Sequence, residues 1–463
     1  KKMIIKFQFQ RILFFLIITC LLNSCKKDAE NFEEGPEIES SIIDPDNIAK
    51  GYIDTKGNTI VDEPKSPAKL LIIEKDSTLY DGPIGIEIRG SSSQMFPKKS
   101  YGFESWDEDG NDVDVSLAGF PKEEDCIFYG PYSDKSLLRN VLICELSNDI
   151  GLYASRTKLI ELYINNQYKG VYVFMEKMKR DKNRINISKN KSGDISGGYI
   201  IKIDKSTGNG TSSNSYSSYN SFMSEYNTLG TKDLSKGAKT HFLYDYPKAE
   251  DIDDNQKSYI KNYISEFEDA LTSGNFKDID EGYQKWIDVN SFVDFFILNE
   301  ISKNVDGYRL STYMNKDKGG KLKMGPIWDF NLGFGNADYC KGGSYEGWAY
   351  KFNNECPGDL WQVPFWWDRL MEDPFWKEQI KKRWTELRSN KFSNKTILDK
   401  ISNYFNILNA NNAHQDNFNQ WKILGKYLWP NNYIGTSYVD EIDYLQSWTS
   451  NRMNWMDGQI NSF

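Results

Sequence analysis

Residues 291–336 decide the predicted fold, and they read SFVDFFILNEISKNVDGYRLSTYMNKDKGGKLKMGPIWDFNLGFGN. Apolar residues recur at helical spacing over 292–301, which predicts a helix. Asp288 or Ser291 stands where a helix N-cap is needed. The helical pattern fades at residues 302–304, where polar residues replace the apolar ones.

A polar loop and a hairpin are expected to follow this helix. Asp306-Gly307 is a turn signal ahead of a predicted strand at 310–314, and a Lys-Asp-Lys-Gly-Gly turn leads to a second predicted strand at 322–330. Asp329 closes the second strand, where its aromatic neighbours predict a half-buried carboxylate. Such a carboxylate needs a partner or a metal.

Two aspartates in this order suit phosphoryl transfer. One carboxylate accepts the proton of the attacking hydroxyl, and another holds Mg²⁺ against the phosphate oxygens. Asp306 and Asp329 are 23 residues apart, in the order in which protein-kinase-like folds present catalytic base and metal ligand. Taken alone, Asp306 is better explained as an ordinary turn residue.

The N-terminal residues predict export and lipidation. Positive charges followed by a short apolar run indicate a signal peptide over 1–24. Its ending, Leu-Asn-Ser-Cys, resembles a bacterial lipobox, which implies lipidation of Cys25. The acidic segment 25–50 predicts a flexible tether, and 51–463 the folded domain. We therefore expect a cell-envelope protein that a lipid anchors to a bacterial membrane. Of the two membranes, the outer one is the favoured location.

Charge and histidine content exclude several classes of function. The net charge is −9, and loss of the four positive charges in residues 1–24 brings it to −13. A chain this acidic is a poor partner for nucleic acid, and its membrane contact is expected through the lipid anchor alone. His241 and His414 are the two histidines, far apart in sequence, which argues against serine–histidine hydrolysis and histidine-ligated zinc. Any catalysis therefore falls to carboxylates and lysines.

Cysteines and tryptophans point to structural roles. Cys340 and Cys356 flank a Gly-rich loop, and in an oxidising envelope they are expected to form a disulfide. Cys126 and Cys144 lie among apolar residues and are expected in the core. The six tryptophans within 345–390 favour a core over a sugar-stacking surface.

Residues 51–180 predict a β-rich N-terminal lobe. Strand patterns at 69–74 and 84–89 precede a Gly/Ser loop that can offer backbone N–H groups to a phosphate. Strand alternation puts Lys99 on the side of two aromatic residues and Lys98 on the opposite side. Lys99 is therefore the expected inward-facing cation.

A predicted helix at 134–149 carries Glu145 on its apolar stripe. We expect a Glu145–Lys99 ion pair that positions the lysine for phosphates, unless Glu145 lies at the edge of the stripe and faces water. The next predicted hairpin ends at Glu176, which in a kinase-like fold is the crossing between lobes where a nucleobase binds. Lys99, Glu145 and Glu176 are thus the predicted nucleotide-binding residues. Further on, residues 205–240 predict a long mobile insertion, because Ser, Gly, Asn and Tyr dominate them.

Six strings, in sequence order, resemble the CotH kinase family, which is named for a bacterial spore-coat protein. They are IEIRGSSSQMFPKKSYGFE (86–104), DKSLLRNVLICEL (134–146), NNQYKGVYVFMEKM (165–178), GGYIIKIDK (197–205), FFILNEISKNVDGYRLSTYMN (295–315) and GPIWDFNLGFG (325–335). The resemblance extends from about residue 65 to the C-terminus and rests on several motifs matched together.

The resemblance implies an α+β, atypical protein-kinase-like fold with two lobes, a β-rich N-lobe at about 51–180 and a mainly helical, aromatic-rich C-lobe at about 181–463. It implies ATP and a divalent metal, Mg²⁺ or Mn²⁺, as cofactors, and an unknown protein as phosphate acceptor. By this resemblance Asp306 would be the catalytic aspartate and Asp329 the metal ligand.

The chain departs from the family pattern near both aspartates. Asn331 stands where the family usually has an aspartate, which weakens charge compensation at a metal. Ser311 occupies the position of the usual kinase asparagine, so Asn304 or Asn331 would supply the missing ligand. Together with the scarcity of ATP outside the cytoplasm, these departures leave three functions open. They are a protein kinase, a weak or inactive kinase fold that serves as a cell-surface binding or adhesion module, and a tryptophan-lined glycan binder.

Overall fold

The computed structural model describes residues 47–191, 193–206 and 215–463. The predicted signal peptide, Cys25 and most of the predicted tether lie outside the described residues. The first strand begins at Ala49, and Ile48 is buried. The folded domain therefore begins before residue 51, where the sequence had placed its start.

Seven strands form a closed barrel in the N-terminal region, in the order β1-β2-β3-β4-β5-β7-β6. They are β1 (Ala49–Asp54), β2 (Ser66–Glu74), β3 (Ser77–Arg89), β4 (Ser100–Ser105), β5 (Asp125–Tyr129), β6 (Thr157–Ile164) and β7 (Gln167–Glu176). Neighbouring strands run antiparallel except β1 and β6, whose parallel pairing closes the barrel. Apolar side chains such as Leu70, Phe103 and Phe174 fill the interior, each 1% exposed or less.

A second, five-stranded antiparallel sheet follows in the order β12-β11-β8-β10-β9. Its strands are β8 (Tyr199–Ile203), β9 (Ser221–Asn227), β10 (Lys239–Tyr246), β11 (Thr312–Lys316) and β12 (Leu322–Met324). The central strand β8 pairs with β11 so that Ile203 lies opposite Thr312. The residues that follow β8 and those that precede β11 therefore share one edge of the sheet.

Nine helices belong to the described residues, eight of them after residue 250. They are α1 (Arg139–Asp149), α2 (Asp254–Thr272), α3 (Val289–Ser302), α4 (Phe352–Glu355), α5 (Trp366–Leu370), α6 (Pro374–Ser389), α7 (Asn394–Ala410), α8 (Ala413–Gln420) and α9 (Tyr438–Asn461). Helix α3 is buried on all sides, as expected of a helix that is apolar around its circumference. Within the described ranges, none of the helices has the length and apolar character needed to cross a membrane.

The predicted α+β class, with a β-rich N-terminal region and a helical C-terminal region, is confirmed. The kinase-like pair of lobes is not confirmed, because the N-terminal strands close into a barrel. The second hairpin strand is also shorter than predicted, since β12 ends at Met324 just before Gly325-Pro326. Proline has no N–H to continue a β-ladder, so Asp329 lies in a loop.

Part of the predicted insertion at 205–240 has regular structure. Residues 221–227 form β9, which pairs with β10, and only 207–214 lie outside the described residues. Four of the tryptophans are core residues, as predicted, with exposures of 0–2% for Trp366, Trp367, Trp376 and Trp384. Buried Cys126 and Cys144 and the Cys340–Cys356 disulfide also agree with expectation.

Candidate functional site

Helix α3 delivers Asp306 through a short, tightly bonded loop. Asp288 caps the helix by accepting a hydrogen bond from the Ser291 backbone, and Lys303 ends it in the left-handed conformation at φ 45°. Asn304 then accepts a bond from the Asp306 backbone N–H at 3.2 Å and donates to the Asp329 carbonyl at 3.4 Å. One buried amide thus joins the two loops that carry the predicted aspartates.

The Asp306 carboxylate is held at one oxygen. Its Oδ1 accepts from Arg309 Nη2 at 2.8 Å and from the Tyr339 hydroxyl at 3.5 Å, and its side chain is 22% exposed. Arg309 is fixed in turn, since its Nε donates to the Val305 carbonyl at 2.7 Å and its Nη1 to Asp359 at 3.2 Å. Among the contacts of the described residues, Oδ2 has no hydrogen-bond donor and is available to a substrate.

Asp329 has a strained backbone. Its φ is 63°, in the left-handed region that non-glycine residues rarely adopt. The side chain is open to solvent, in contrast to the predicted half-burial, yet protein atoms crowd around it. Desolvation by these atoms and the negative charges of Asp306 and Asp204 raise its pKa to about 6, against the opposing effect of Arg89 and Lys205. Asp329 therefore shares its surroundings with two carboxylates and two cations.

Asp204 is the residue that the sequence argument missed. It directly follows β8, accepts a hydrogen bond from the Lys205 backbone N–H at 2.9 Å and another from the Ser311 backbone N–H. Desolvation raises its pKa, and so does the charge of Asp306. The motif GGYIIKIDK contained a signal for Asp204, because this carboxylate directly follows an apolar strand. Functional side chains are often found where a strand ends.

The three carboxylates make a donor set that fits a divalent cation. Asp204, Asp306 and Asp329 come from separate segments, and their mutual repulsion is the kind that a bound cation relieves. Their oxygens are not all within 4.8 Å of one another. Mg²⁺ suits such an open arrangement, because it commonly keeps several waters and takes one or two carboxylates together with substrate phosphates.

The three predicted nucleotide-binding residues are not brought together as expected. Glu145 pairs with Lys400 at 2.5 Å, while Lys99 donates to the Gln94 carbonyl, so the predicted Glu145–Lys99 pair is wrong. Glu145 does find a cation, as a carboxylate on an apolar stripe must, but the cation comes from α7.

The assignment of Lys99 as the inward-facing lysine is also wrong. Lys98 is 2% exposed, and its Nζ donates to Val171 O at 2.6 Å, to Asn417 Oδ1 at 2.8 Å and to Pro131 O at 3.3 Å. Strand alternation does not apply to either lysine, because β4 begins only at Ser100. Burial lowers the pKa of Lys98 well below its usual value.

Glu176 and Asn331 lie in ordered surroundings. The Glu176 carboxylate is fully buried and accepts from Arg156 at 2.8 Å and from the Tyr153 hydroxyl at 3.0 Å. These bonds make Glu176 a structural anion at the end of β7. Asn331 is half-buried two residues after Asp329, and its carbonyl accepts from Asn336 Nδ2 at 2.8 Å.

A second acidic cluster lies in the N-terminal region. Within the described ranges, Asp114, Glu123 and Glu124 are the three carboxylates whose oxygens lie within 4.8 Å of one another. Lys179 Nζ approaches Glu123 at 2.5 Å and Glu124 at 2.6 Å, and Arg184 approaches Glu123 at 2.8 Å. Protein cations therefore already pair with two of the three carboxylates in this cluster.

Comparison with known families identifies the chain. The sequence model described as CotH kinase protein matches residues 86–456, which is more than half of the chain and includes Asp204, Asp306 and Asp329. No curated protein matches the chain. Since the family match covers more than half of the chain, this chain belongs to the CotH kinase protein family.

Proposed function

We propose that this protein is an atypical kinase that binds ATP with Mg²⁺ or Mn²⁺ and transfers phosphate to hydroxyl groups of a protein. The observation that carries the proposal is that Asp204, Asp306 and Asp329 lie close enough for their charges to interact, so that desolvation and mutual repulsion raise the pKa of Asp329 to about 6. Family membership agrees with a kinase-like protein. A metal bound there would neutralise charge on the phosphate oxygens.

Each carboxylate has a distinct role in this proposal. Asp329 and Asp204 would hold the metal, because both are desolvated carboxylates that a cation would relieve. Asp306 would accept the hydroxyl proton at Oδ2, since Arg309 and Tyr339 engage Oδ1 and fix the plane of the carboxylate. Asn331 and Asn304 lie close in sequence to these aspartates and remain candidate neutral ligands.

Calorimetric titration of the full chain with ATP and Mg²⁺ or Mn²⁺ tests the binding step. We expect metal-dependent binding that Asp329→Asn abolishes, because asparagine tolerates the left-handed backbone but removes the charge. Asp114→Asn is the matched control, since it removes an aspartate from the second acidic cluster. Absence of nucleotide binding by a folded wild-type chain overturns the proposal.

Transfer of labelled phosphate to protein acceptors tests the chemical step. Asp306→Asn is expected to bind nucleotide as the wild type does but to transfer phosphate at least about a hundredfold more slowly, the usual loss on removing a general base. Equal rates would exclude Asp306 as the base.

A binding module without catalysis is the second candidate function. It is favoured by the bond from Arg309 to Asp306 Oδ1, which occupies one acceptor of the proposed base, and by a neutral asparagine at position 331. Metal-dependent nucleotide binding without transfer to any acceptor would select this function. Either function would operate in the cell envelope if Cys25 is lipidated, which incorporation of a labelled fatty acid, lost in Cys25→Ala, tests.

A further inference from the structure

Arg89 is a cation without an anionic partner beside the proposed site. It ends β3, and its guanidinium lies over the Trp328 ring at 5.5 Å from the ring centroid. Trp328 directly precedes Asp329, and the charges of Arg89 and Asp329 act on each other. The arginine is half-buried, with the Gly/Ser loop that begins at Gly90 next in the chain.

The guanidinium makes no bond to a carboxylate. Among the residues that the structure describes, none places a carboxylate oxygen within 4.0 Å of it or accepts a hydrogen bond from it. Arg139, Arg309 and Arg452, by contrast, each bind a carboxylate and at least one backbone carbonyl. Because Arg89 is half-buried, its N–H donors reach water, and the oxygens of an anionic ligand can replace that water.

Lys205 is a second such cation on the same carboxylate. Its ammonium lies over the Trp361 ring at 5.2 Å, and its charge lowers the pKa of Asp329 as that of Arg89 does. No carboxylate of the described ranges lies within ion-pairing distance of it. Both cations therefore lie over aromatic rings and act on Asp329, one at the end of a barrel strand and one just after β8.

We infer that Arg89 and Lys205 bind the phosphate groups of a nucleotide or inorganic polyphosphate beside Asp329. This assignment rests on the proposed function and gives these two residues the role that the sequence suggested for Lys99. Lys99 is unsuited to it, because its ammonium donates to the Gln94 carbonyl. Arginine in particular recognises phosphate through two parallel hydrogen bonds, and a stacked guanidinium keeps the required plane.

The test titrates the full chain with inorganic tripolyphosphate and with ATP, each in the presence of Mg²⁺. Arg89→Gln and Lys205→Gln are expected to weaken binding of both ligands at least about tenfold, which corresponds to 1.4 kcal/mol. Lys99→Gln is expected to leave both affinities unchanged. Arg180→Gln is the matched control, since Arg180 also stacks on a ring, that of Tyr246 at 5.4 Å.

The outcomes separate this inference from the kinase proposal. If the wild type binds MgATP and Arg89→Gln binds it equally well with unchanged thermal stability, the assignment of Arg89 is overturned and the kinase proposal stands. If tripolyphosphate binds in an Arg89-dependent manner while ATP does not, the anion site stands and the kinase proposal falls. If neither ligand binds to the wild type, both fall. A loss caused only by unfolding is recognised by Arg89→Lys, which keeps the charge and is expected to recover part of the affinity.

Discussion

Asp329 combines two unfavourable features that a purely structural residue would not need. Its backbone has a φ of 63°, and its carboxylate is desolvated among other carboxylates. Both features oppose folding, and such local costs are concentrated at sites where a ligand or a reaction uses them. At the scale of single residues, the molecule is therefore less stable than it could be, because it keeps charged side chains close together around Asp329.

The stability of the protein is expected to depend on the titration of Asp329. The folded state keeps its proton up to a pH of about 6, whereas the unfolded state releases it near 3.8, so the free energy of unfolding falls as pH rises through this window. Asp329→Asn should therefore be more stable than the wild type at pH 7 and equally stable below pH 3.8. Urea unfolding at both pH values measures this, and a variant less stable at pH 7 would contradict it.

Arg309 is expected to be essential for the position of Asp306. Its side chain is 3% exposed and bridges Asp306, Asp359 and two backbone carbonyls. Arg309→Met removes these bonds and leaves two carboxylates without their cation, which we expect to cost about 3 kcal/mol of stability. Chemical denaturation measures the loss. Arg388→Met, at the 18%-exposed arginine bound to Asp457, is the comparison, and an equal cost in both would contradict a special role.

At the scale of elements, the sequence correctly predicted the features that local residue patterns determine. Helix α3 begins after the Asp288 cap and ends at Ser302, as the apolar spacing indicated. Asp204 escaped prediction because its proximity to Asp306 depends on the pairing of β8 with β11, more than a hundred residues later in the chain. The prediction for Lys98 and Lys99 is wrong because both residues precede β4, where strand alternation does not apply. The features that the sequence did not predict depend either on pairing between distant strands or on the residue at which a strand begins.

The Cys340–Cys356 disulfide supports the loop that reaches Asp306. Cys340 follows Tyr339, whose hydroxyl contacts Asp306, and the two cysteines are 16 residues apart. Closing a loop of this length stabilises a fold by about 3 kcal/mol in the chain-entropy model. The double change of Cys340→Ser and Cys356→Ser is expected to lose about that much in urea unfolding. Dithiothreitol should destabilise the wild type and leave the double variant unaffected; equal effects on both would contradict the prediction.

At the scale of the whole molecule, the barrel is tied to the helical region by bonds across long sequence distances. Buried Lys98 joins β7 to α8 through Asn417, and Trp421 Nε1 donates to the Lys169 carbonyl at 2.7 Å. Arg139 Nε donates to the Gly333 carbonyl at 3.1 Å, in the loop that follows Asp329. The family resemblance implied a β-rich and a helical lobe, but the sequence could not reveal the parallel β1–β6 pairing that closes the barrel. That closure joins strands about a hundred residues apart, and no local pattern encodes it.

These links predict that the barrel and the helical region unfold together. We expect one calorimetric transition for the full chain, and Asn417→Ala should lower it as a whole. The variant leaves the Lys98 ammonium and the Val171 N–H without one of their acceptors, which is expected to cost about 2 kcal/mol. Hydrogen exchange of β7 and α9 amides should accelerate to the same extent. Asn409→Ala, at an exposed residue near the end of α7, is the control and should change neither measurement. Two separate transitions, or faster exchange in β7 alone, would mean that the regions fold independently and that the residues around Asp329 are held in place by each region separately.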